Sequence, residues 1–240
     1  MLDGSLDSAY VLCRPPGHHA ERERGMGFCL FNNIAIAADH AIRRGKKRVA
    51  IVDWDVHHGN GTQQVFFERD DVLFISVHQD NLYPPASGSM HEIGAGSGEG
   101  FNINVPLPPG AGDGAYKRVM EAIIMPRLED FDPELILISC GFDASFQDPL
   151  GCQMVTSLGF QSMTASILGL EKPTVFCHEG GYSPEHVPYC GLRVVEEMAG
   201  VEKSTVKFYD DGHDYGYQDC QPWQETIIQQ VKKIANKEAA

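Results

Sequence analysis

Six short apolar segments recur along the chain, and most of them run directly into a polar cluster. They are rich in Val, Ile, Leu and Phe and cover 9–13, 48–54, 72–77, 101–107, 135–140 and 174–177. Continuous apolar runs of this length are typical of strands that are buried on both faces of a sheet. The pattern therefore predicts six buried strands.

Between several of these segments, the apolar residues take the spacing of an amphipathic helix. The helical patterns cover 31–45, with Gly45 as the predicted C-cap, 114–131, 156–170 and 190–200. Strands that alternate with helices form βαβ crossovers, which predicts an α/β fold with a mostly parallel sheet. A chain of 240 residues without a repeat or a linker is expected to form a single domain over 1–240.

Five of the apolar segments end in clusters that carry His, Asp or Tyr. The clusters are RPPGHHA, DVHHGNG, VHQD, GFDASFQDP and HEGGY. One such cluster alone is more often a capped turn or a solvated loop than a site. The carboxyl ends of parallel strands share one edge of the sheet, where ligands bind, so five clusters there predict a functional site.

The second cluster alternates acids and imidazoles. Asp53, Asp55 and His57 are spaced by two residues, so an extended backbone points their side chains to one side. Asp oxygen and His nitrogen suit zinc, and a catalytic zinc takes three protein ligands with a water in the remaining position. Asp55 and His57 supply two ligands, and Asp143 in the GFDAS segment is the best-placed third. The competing interpretation, that the acids only cap the following turn, fits the neighbouring imidazoles less well.

The other clusters supply an acid/base pair and a phenol. His18 and His19 are adjacent, and imidazoles are the natural general acid and base near neutral pH. Asp53 and Asn60 could fix the tautomers of these imidazoles. Tyr182 follows Gly180 and Gly181 and could donate to a developing oxyanion. A metal, a base and an oxyanion donor together predict metal-assisted hydrolysis of an amide or ester.

Charge and composition exclude other classes. The formal net charge of −14 argues against nucleic acid as a direct partner and favours cationic substrates at long range. No apolar run approaches a membrane span and the N-terminus does not read as a secretory signal, so a cytoplasmic location is expected. The seven scattered cysteines without C-x-x-C indicate neither a disulfide framework nor a thiolate zinc site. The oligomeric state stays open.

Long motifs in a fixed order then resemble those of the zinc-dependent histone deacetylase family, nearest its bacterial class II amidohydrolases. The matching segments are RPPGHHAERERGMGFCLFNNIAIAA, VDWDVHHGNGTQ, SVHQD, GFDASFQDPLG and HEGGY. The resemblance implies the arginase-deacetylase fold, a three-layer α/β/α arrangement around a mostly parallel sheet. It also implies removal of acetyl groups from acetylated lysine side chains or from acetylated polyamines.

The resemblance assigns roles residue by residue. It implies zinc ligands at Asp55, His57 and Asp143, and a catalytic pair, His18 and His19, whose partners are Asp53 and Asn60. It implies Tyr182 as the phenol that polarises the carbonyl, and a structural potassium ion held by Asp53, Asp55, His57, Ser76 and Val77. Because a nearby carboxylate raises an imidazole pKa, and His18 faces Asp53 in this mapping, we expect His19 to be the base.

The same resemblance predicts the residues that bind the substrate. They are Gly27, Phe28, Leu150 and Gly181, with either Leu82 or Tyr83 as the wall opposite Phe28. An apolar rim residue at Leu150 favours acyl-lysine over polyamines, because a polyamine deacetylase is expected to place an acid there.

Two departures from the family and several rival functions bear on these expectations. Family members carry further residues before the first strand and a longer connection after Gly151, so the sheet is expected to lack its first strands.

A two-metal ureohydrolase needs an Asp-x-Asp where this chain has Asp143-Ala144-Ser145. G-x-S-x-G is absent, and GAGSGEG does not match the dinucleotide-binding fingerprint. An inactive acyl-lysine binder is the remaining non-enzymatic alternative.

Overall fold

A computed structural model describes residues 1–204, 206–207 and 218–237. Within these ranges, six strands form one parallel sheet in the order β1-β6-β5-β2-β3-β4. The strands are β1 Ser8–Val11, β2 Val49–Asp53, β3 Val72–Gln79, β4 Asn102–Leu107, β5 Leu135–Cys140 and β6 Thr174–His178. All six predicted strands are present, and the predicted α/β class with a parallel sheet is confirmed.

Seven α-helices accompany the sheet in the described part of the chain. They are α1 Asn33–Arg43, α2 Asn60–Phe66, α3 Asp113–Val119, α4 Met125–Phe131, α5 Ser157–Leu168, α6 Val187–Met198 and α7 Pro222–Lys237. The Asn32 side chain caps α1 by accepting from the Ala35 N–H, and Gly45 follows the C-cap residue Arg44 with a φ of +103°. Such a positive φ favours glycine.

The helix predicted over 114–131 contains an irregularity that periodicity did not show. Its middle, Met120–Ile124, is a π-helical segment that joins α3 to α4. Two helices were not predicted from the sequence, α2 and α7. At seven residues, α2 is shorter than the window in which a helical period can be recognised.

The central strands bury both of their faces, as continuous apolar runs require. Ala50 and Val52 of β2 belong to the larger apolar cluster, to which α5 contributes, and we call this side of the sheet the α5 face. Val49 and Ile51 belong to the smaller cluster beneath α1, on the side that we call the α1 face. Helices therefore cover the sheet on both sides, which gives the three layers.

The alternation continues beyond the last residue of β2. Trp54 and Val56 remain in the large cluster of the α5 face. The intervening residues Asp53, Asp55 and His57 are also buried, at 0%, 0% and 8% relative exposure. The apolar row of the α1 face thus gives way to charged and imidazole side chains at Asp53, where β2 ends, and in the loop that follows.

No helix within the described ranges is long and apolar enough to cross a membrane. The predicted single domain over 1–240 extends over residues 205, 208–217 and 238–240, which lie outside the described residues. The domain assignment therefore stays a prediction.

Candidate active site

Three side chains that the sequence singled out as metal ligands lie together. Asp55 and His57 follow β2, Asp143 follows the neighbouring strand β5, and one ligand atom from each falls within 4.8 Å of the others. His57 Nδ1 is 3.0 Å from Asp55 Oδ1 and 3.0 Å from Asp143 Oδ2. The second oxygens are held by the backbone, since the Gly180 N–H donates to Asp55 Oδ2 and the Val56 N–H donates to Asp143 Oδ1. One oxygen of each carboxylate thus stays directed at the imidazole.

Two glycines allow the backbone to approach these carboxylates. A Cβ at Gly141 would collide with Asp55 Oδ2, and a Cβ at Gly180 would collide with Asp143 Oδ2. Any other residue at either position would occupy the space around the ligand oxygens. The first glycine of HEGGY, Gly180, is therefore required by the close approach of a carboxylate, independently of turn geometry.

The charge of this cluster fits a divalent cation. Asp53, Asp55 and Asp143 are fully buried, and within the described residues their ion-pair partners are imidazoles rather than lysine or arginine. Burial and the neighbouring Asp55 raise the pKa of Asp143 to about 7. Buried carboxylates at this spacing are stabilised by a metal ion, and a set of two carboxylates and one imidazole suits zinc.

His18 and His19 lie side by side above this cluster, with ring centroids 4.0 Å apart. His18 Nδ1 is 2.9 Å from Asp53 Oδ2, and His19 Nδ1 is 2.8 Å from Asn60 Oδ1. Both imidazoles are buried. Each histidine therefore contacts the partner that the motif mapping gave it.

The two imidazoles have opposite electrostatic environments. Burial opposes a charge on His18, but Asp55 and Asp53 outweigh burial and hold its pKa well above the usual range. Burial and the neighbouring His18 lower the pKa of His19 to about 3. The pair thus combines a charged imidazole with a neutral one.

Tyr182 stands in the loop that follows β6. Gly181 precedes it with a φ of +136°, and the Tyr182 ring centroid lies 5.9 Å from that of Phe28. Burial, followed by the charges of Asp55 and Asp143, raises the pKa of Tyr182, so the phenol keeps its proton. Tyr182 is therefore available as a hydrogen-bond donor at the edge of the metal cluster.

The predicted substrate-binding residues differ in their exposure and in their contacts with the catalytic imidazoles. Phe28 is 71% exposed and Leu150 is 44% exposed, and their roles in substrate binding stay predictions. A Cβ at Gly27 would collide with the His19 ring, so glycine is needed for the chain to pass this imidazole. Tyr83 stands edge-on to His19 with ring centroids 4.9 Å apart, whereas Leu82 packs against the core of the α5 face. Of these two residues, Tyr83 therefore lies beside His19, and the wall opposite Phe28 stays a prediction.

Two of the predicted potassium ligands, Asp55 and His57, are also members of the metal cluster, and the other three lie in β2 and β3. Asp53 and Ser76 are register partners in the adjacent strands β2 and β3, and Ser76 and Val77 are buried. The Ser76 hydroxyl is 3.0 Å from His78 Nδ1. Asp53 and Ser76 are therefore neighbours, while their role as ligands stays a prediction.

Two buried carboxylates near the site were not assigned from the sequence. Glu179 Oε2 accepts from the N–H groups of Gly17 and His18, at 2.6 and 3.1 Å. Asp148 Oδ2 accepts from the Tyr182 N–H at 2.6 Å. Glu179 belongs to the cluster HEGGY and Asp148 to the cluster GFDASFQDP. Their place close to a strand end is the sequence signal that could have identified them.

Known proteins of one family match most of this chain. The histone deacetylase domain model matches residues 1–198. The chain is 49% identical to the histone deacetylase-like amidohydrolase of Pseudomonas aeruginosa, over 85% of this chain and 56% of that relative. It is 42% identical to a probable deacetylase of Archaeoglobus fulgidus, over 86% of this chain and 59% of that relative. The chain thus spans less than two thirds of the length of these curated relatives.

Solved structures give the same result. The crystal structure of the HDA15 HD domain superposes with a TM-score of 0.86 at 36% identity, covering 98% of this chain and 64% of that one. An acetylpolyamine aminohydrolase from Burkholderia pseudomallei gives a TM-score of 0.78 at 41% identity, covering 82% of this chain and 58% of that one. These matches confirm the family resemblance inferred from the motifs. The chain belongs to the histone deacetylase domain family.

Proposed function

We propose that this chain is a zinc-dependent deacetylase that hydrolyses acetylated lysine side chains. The observation that carries the proposal is the buried group of Asp55, His57 and Asp143 beneath two adjacent imidazoles. Family membership supports the reaction class, and the ligand set supports zinc.

Zinc held by Asp55, His57 and Asp143 would supply a Lewis acid and an activated water at neutral pH. The protein's own contribution is to keep the ligands in place. Backbone N–H groups fix Asp55 and Asp143, and both acids lie at the ends of hydrogen-bonded neighbouring strands.

The hydrogen bonds of Asn60 set the tautomer of His19. Asn60 Nδ2 donates to Glu21 Oε1 at 2.8 Å, so Asn60 Oδ1 faces His19 as an acceptor. His19 Nδ1 must then carry a proton, which leaves Nε2 free to accept one. We infer that His19 takes the proton of the attacking water and returns it to the leaving amine.

His18 has a different role, because it donates to a carboxylate. A charged imidazole beside the base favours the neutral form of His19 before the reaction. We infer that His18 acts as an electrostatic partner, while the Tyr182 phenol donates to the oxygen of the scissile carbonyl as negative charge develops on it.

The channel walls support an acyl-lysine substrate. We infer that Phe28 and Tyr83 would offer aromatic faces to the methylene chain of the substrate, and that Leu150 would add an apolar rim. The acetylpolyamine aminohydrolase neighbour keeps acetylated polyamines as the alternative substrate class. A potassium ion near Asp53 and Ser76 is a further part of the proposal, and the cytoplasmic location stays a prediction.

Turnover by protein of measured metal content tests the proposal. The chain would be stripped with a chelator and reloaded with zinc, and kcat/KM would be measured for an acetyl-lysine peptide, acetylspermidine and acetylputrescine at one salt concentration. We expect turnover only after reloading, with the peptide preferred. A zinc-loaded protein that binds the peptide without hydrolysing it would establish the inactive acyl-lysine binder instead.

A further inference from the structure

The loop that carries Tyr182 is fastened to two other loops by carboxylates. Upstream of the phenol, the Gly180 N–H donates to Asp55 Oδ2 at 2.8 Å. At Tyr182 itself, the backbone N–H donates to Asp148 Oδ2 at 2.6 Å. Gly181, between these two anchors, has a φ of +136°, a region of backbone space that favours glycine.

Asp148 also fixes the rim of the channel. Its second oxygen, Oδ1, accepts from the Leu150 N–H at 2.9 Å, and its own N–H donates to the Ser145 carbonyl at 3.1 Å. Asp148 is 7% exposed. One buried side chain therefore holds the backbone of both Tyr182 and Leu150, which belong to loops after different strands.

Within the described residues, few other contacts fix the direction of Tyr182. Gly180 is held by the bond to Asp55 and by the Phe142 N–H, which donates to the Gly180 carbonyl at 2.8 Å, so Gly181 is the free joint ahead of Tyr182. Phe28, the ring neighbour of Tyr182, is itself 71% exposed. Without Asp148, the Tyr182 N–H would lose its acceptor, and the phenol could leave the place where the carbonyl oxygen is expected. A displacement of about 1 Å costs on the order of 100-fold in rate.

We propose that Asp148 is a positioning residue that acts through Tyr182, and that it couples the phenol to the substrate-binding rim at Leu150. This inference rests on the proposed function of Tyr182 as the oxyanion donor. It adds a role for an acid that neither binds the metal nor touches the reacting atoms.

A double-mutant cycle on zinc-loaded protein tests the coupling. Asp148→Asn leaves one acceptor oxygen for two N–H groups, so we expect kcat to fall roughly 10-fold to 100-fold. In a Tyr182→Phe background, the same change should alter kcat less than about 3-fold, because residues that act as a unit are not additive. Asp70→Asn is the matched control, since Asp70 is exposed in the loop between α2 and β3.

A purely structural role for Asp148 predicts a different result. Asp148→Asn would then lower kcat by the same factor in the wild-type and Tyr182→Phe backgrounds. It would also lower the melting temperature and the zinc content. This outcome would overturn the proposal. An unchanged kcat in Asp148→Asn would do the same. If Asp148→Asn does not fold, Asp148→Glu replaces it in the cycle, because it keeps the charge and shifts both oxygens.

Hydrogen–deuterium exchange separates this proposal from the proposed function. In Asp148→Asn we expect faster exchange at the amides of Tyr182 and Leu150, while β5 keeps its protection. If wild-type and Asp70→Asn proteins turn over no substrate, the deacetylase proposal fails, and exchange alone decides whether Asp148 fixes the two loops. Unchanged protection at both amides would overturn the positioning role in either case.

Discussion

On the α5 face of the sheet, the apolar row of β2 continues through Trp54 and Val56 into the core, whereas on the α1 face it changes to Asp53, Asp55 and His57. Both rows are buried, and their two-residue alternation continues past Asp53, where β2 ends. They differ only in side-chain type at the carboxyl edge. Alternation thus stabilises the fold on one side and directs polar groups into the candidate site on the other, which suggests that substitutions on the two faces have separable effects.

The largest effect is expected from Asp143→Ala. This change removes one of the three candidate metal ligands, so zinc binding should be abolished and turnover should be lost with it. Zinc per folded protein, measured by elemental analysis, and kcat/KM are the readouts. Full zinc occupancy in this variant would show that the ligand assignment is wrong.

The matching control lies in β5, the strand that leads to Asp143, and faces the apolar core. Ile138→Ala removes a fully buried side chain from the cluster of the α5 face and should cost about 2–5 kcal/mol of unfolding free energy. Zinc content per folded protein should stay at the wild-type value. A loss of both stability and zinc in both variants would contradict the separation of the two faces.

The next largest effect distinguishes the two imidazoles of the site. His19→Ala should lower kcat by about 100-fold to 10,000-fold, because it removes the proposed base. His18→Ala should lose less, since Asp53 keeps His18 charged and His18 acts on its neighbour rather than on the water. Single-turnover rates at equal zinc content measure both. Equal losses, or a larger loss for His18→Ala, would assign the base to the other imidazole.

A smaller effect is expected where the site meets solvent. Tyr182→Phe keeps the ring against Phe28 and removes the phenolic hydrogen bond, so kcat should fall by about 100-fold while KM changes little. The measurement is kcat and KM of the variant, each compared with the wild-type value. A rise in KM without a loss of kcat would mean that the phenol binds substrate in the ground state only.

The strands and the polar residues at their carboxyl ends could be predicted from the sequence better than the contacts between loops. Strand β5 was predicted at 135–140, where the structure has it, because a buried strand has a distinctive run of apolar residues. Asp55 and Asp143 could be brought together because strand ends share one edge of a parallel sheet. These deductions need only periodicity and topology, which a single sequence displays.

Loop contacts could not be predicted in this way. Leu82 and Tyr83 both suit a channel wall, and the choice depends on a loop in which the His58 N–H donates to the Tyr83 carbonyl. Asp148 accepts from Tyr182, 34 positions away in the sequence, and no period relates the two. The π-helical segment Met120–Ile124 likewise depends on packing rather than on residue type.

The smallest predicted effect concerns the choice of substrate at the rim. Leu150 is 44% exposed and apolar, so the wild-type chain should prefer an acetyl-lysine peptide to acetylspermidine. Leu150→Glu would place an acid where the second ammonium of a polyamine is expected, and Leu150→Gln is the uncharged control. A partly exposed ion pair contributes about 1 kcal/mol, which corresponds to a shift of roughly 5-fold in relative kcat/KM toward the polyamine. Because the Debye length falls to about 3 Å at 1 M salt, the shift should disappear there for the glutamate variant. A preference for acetylspermidine in the wild-type chain, or an equal shift in the glutamine variant, would show that the rim does not select the substrate by charge.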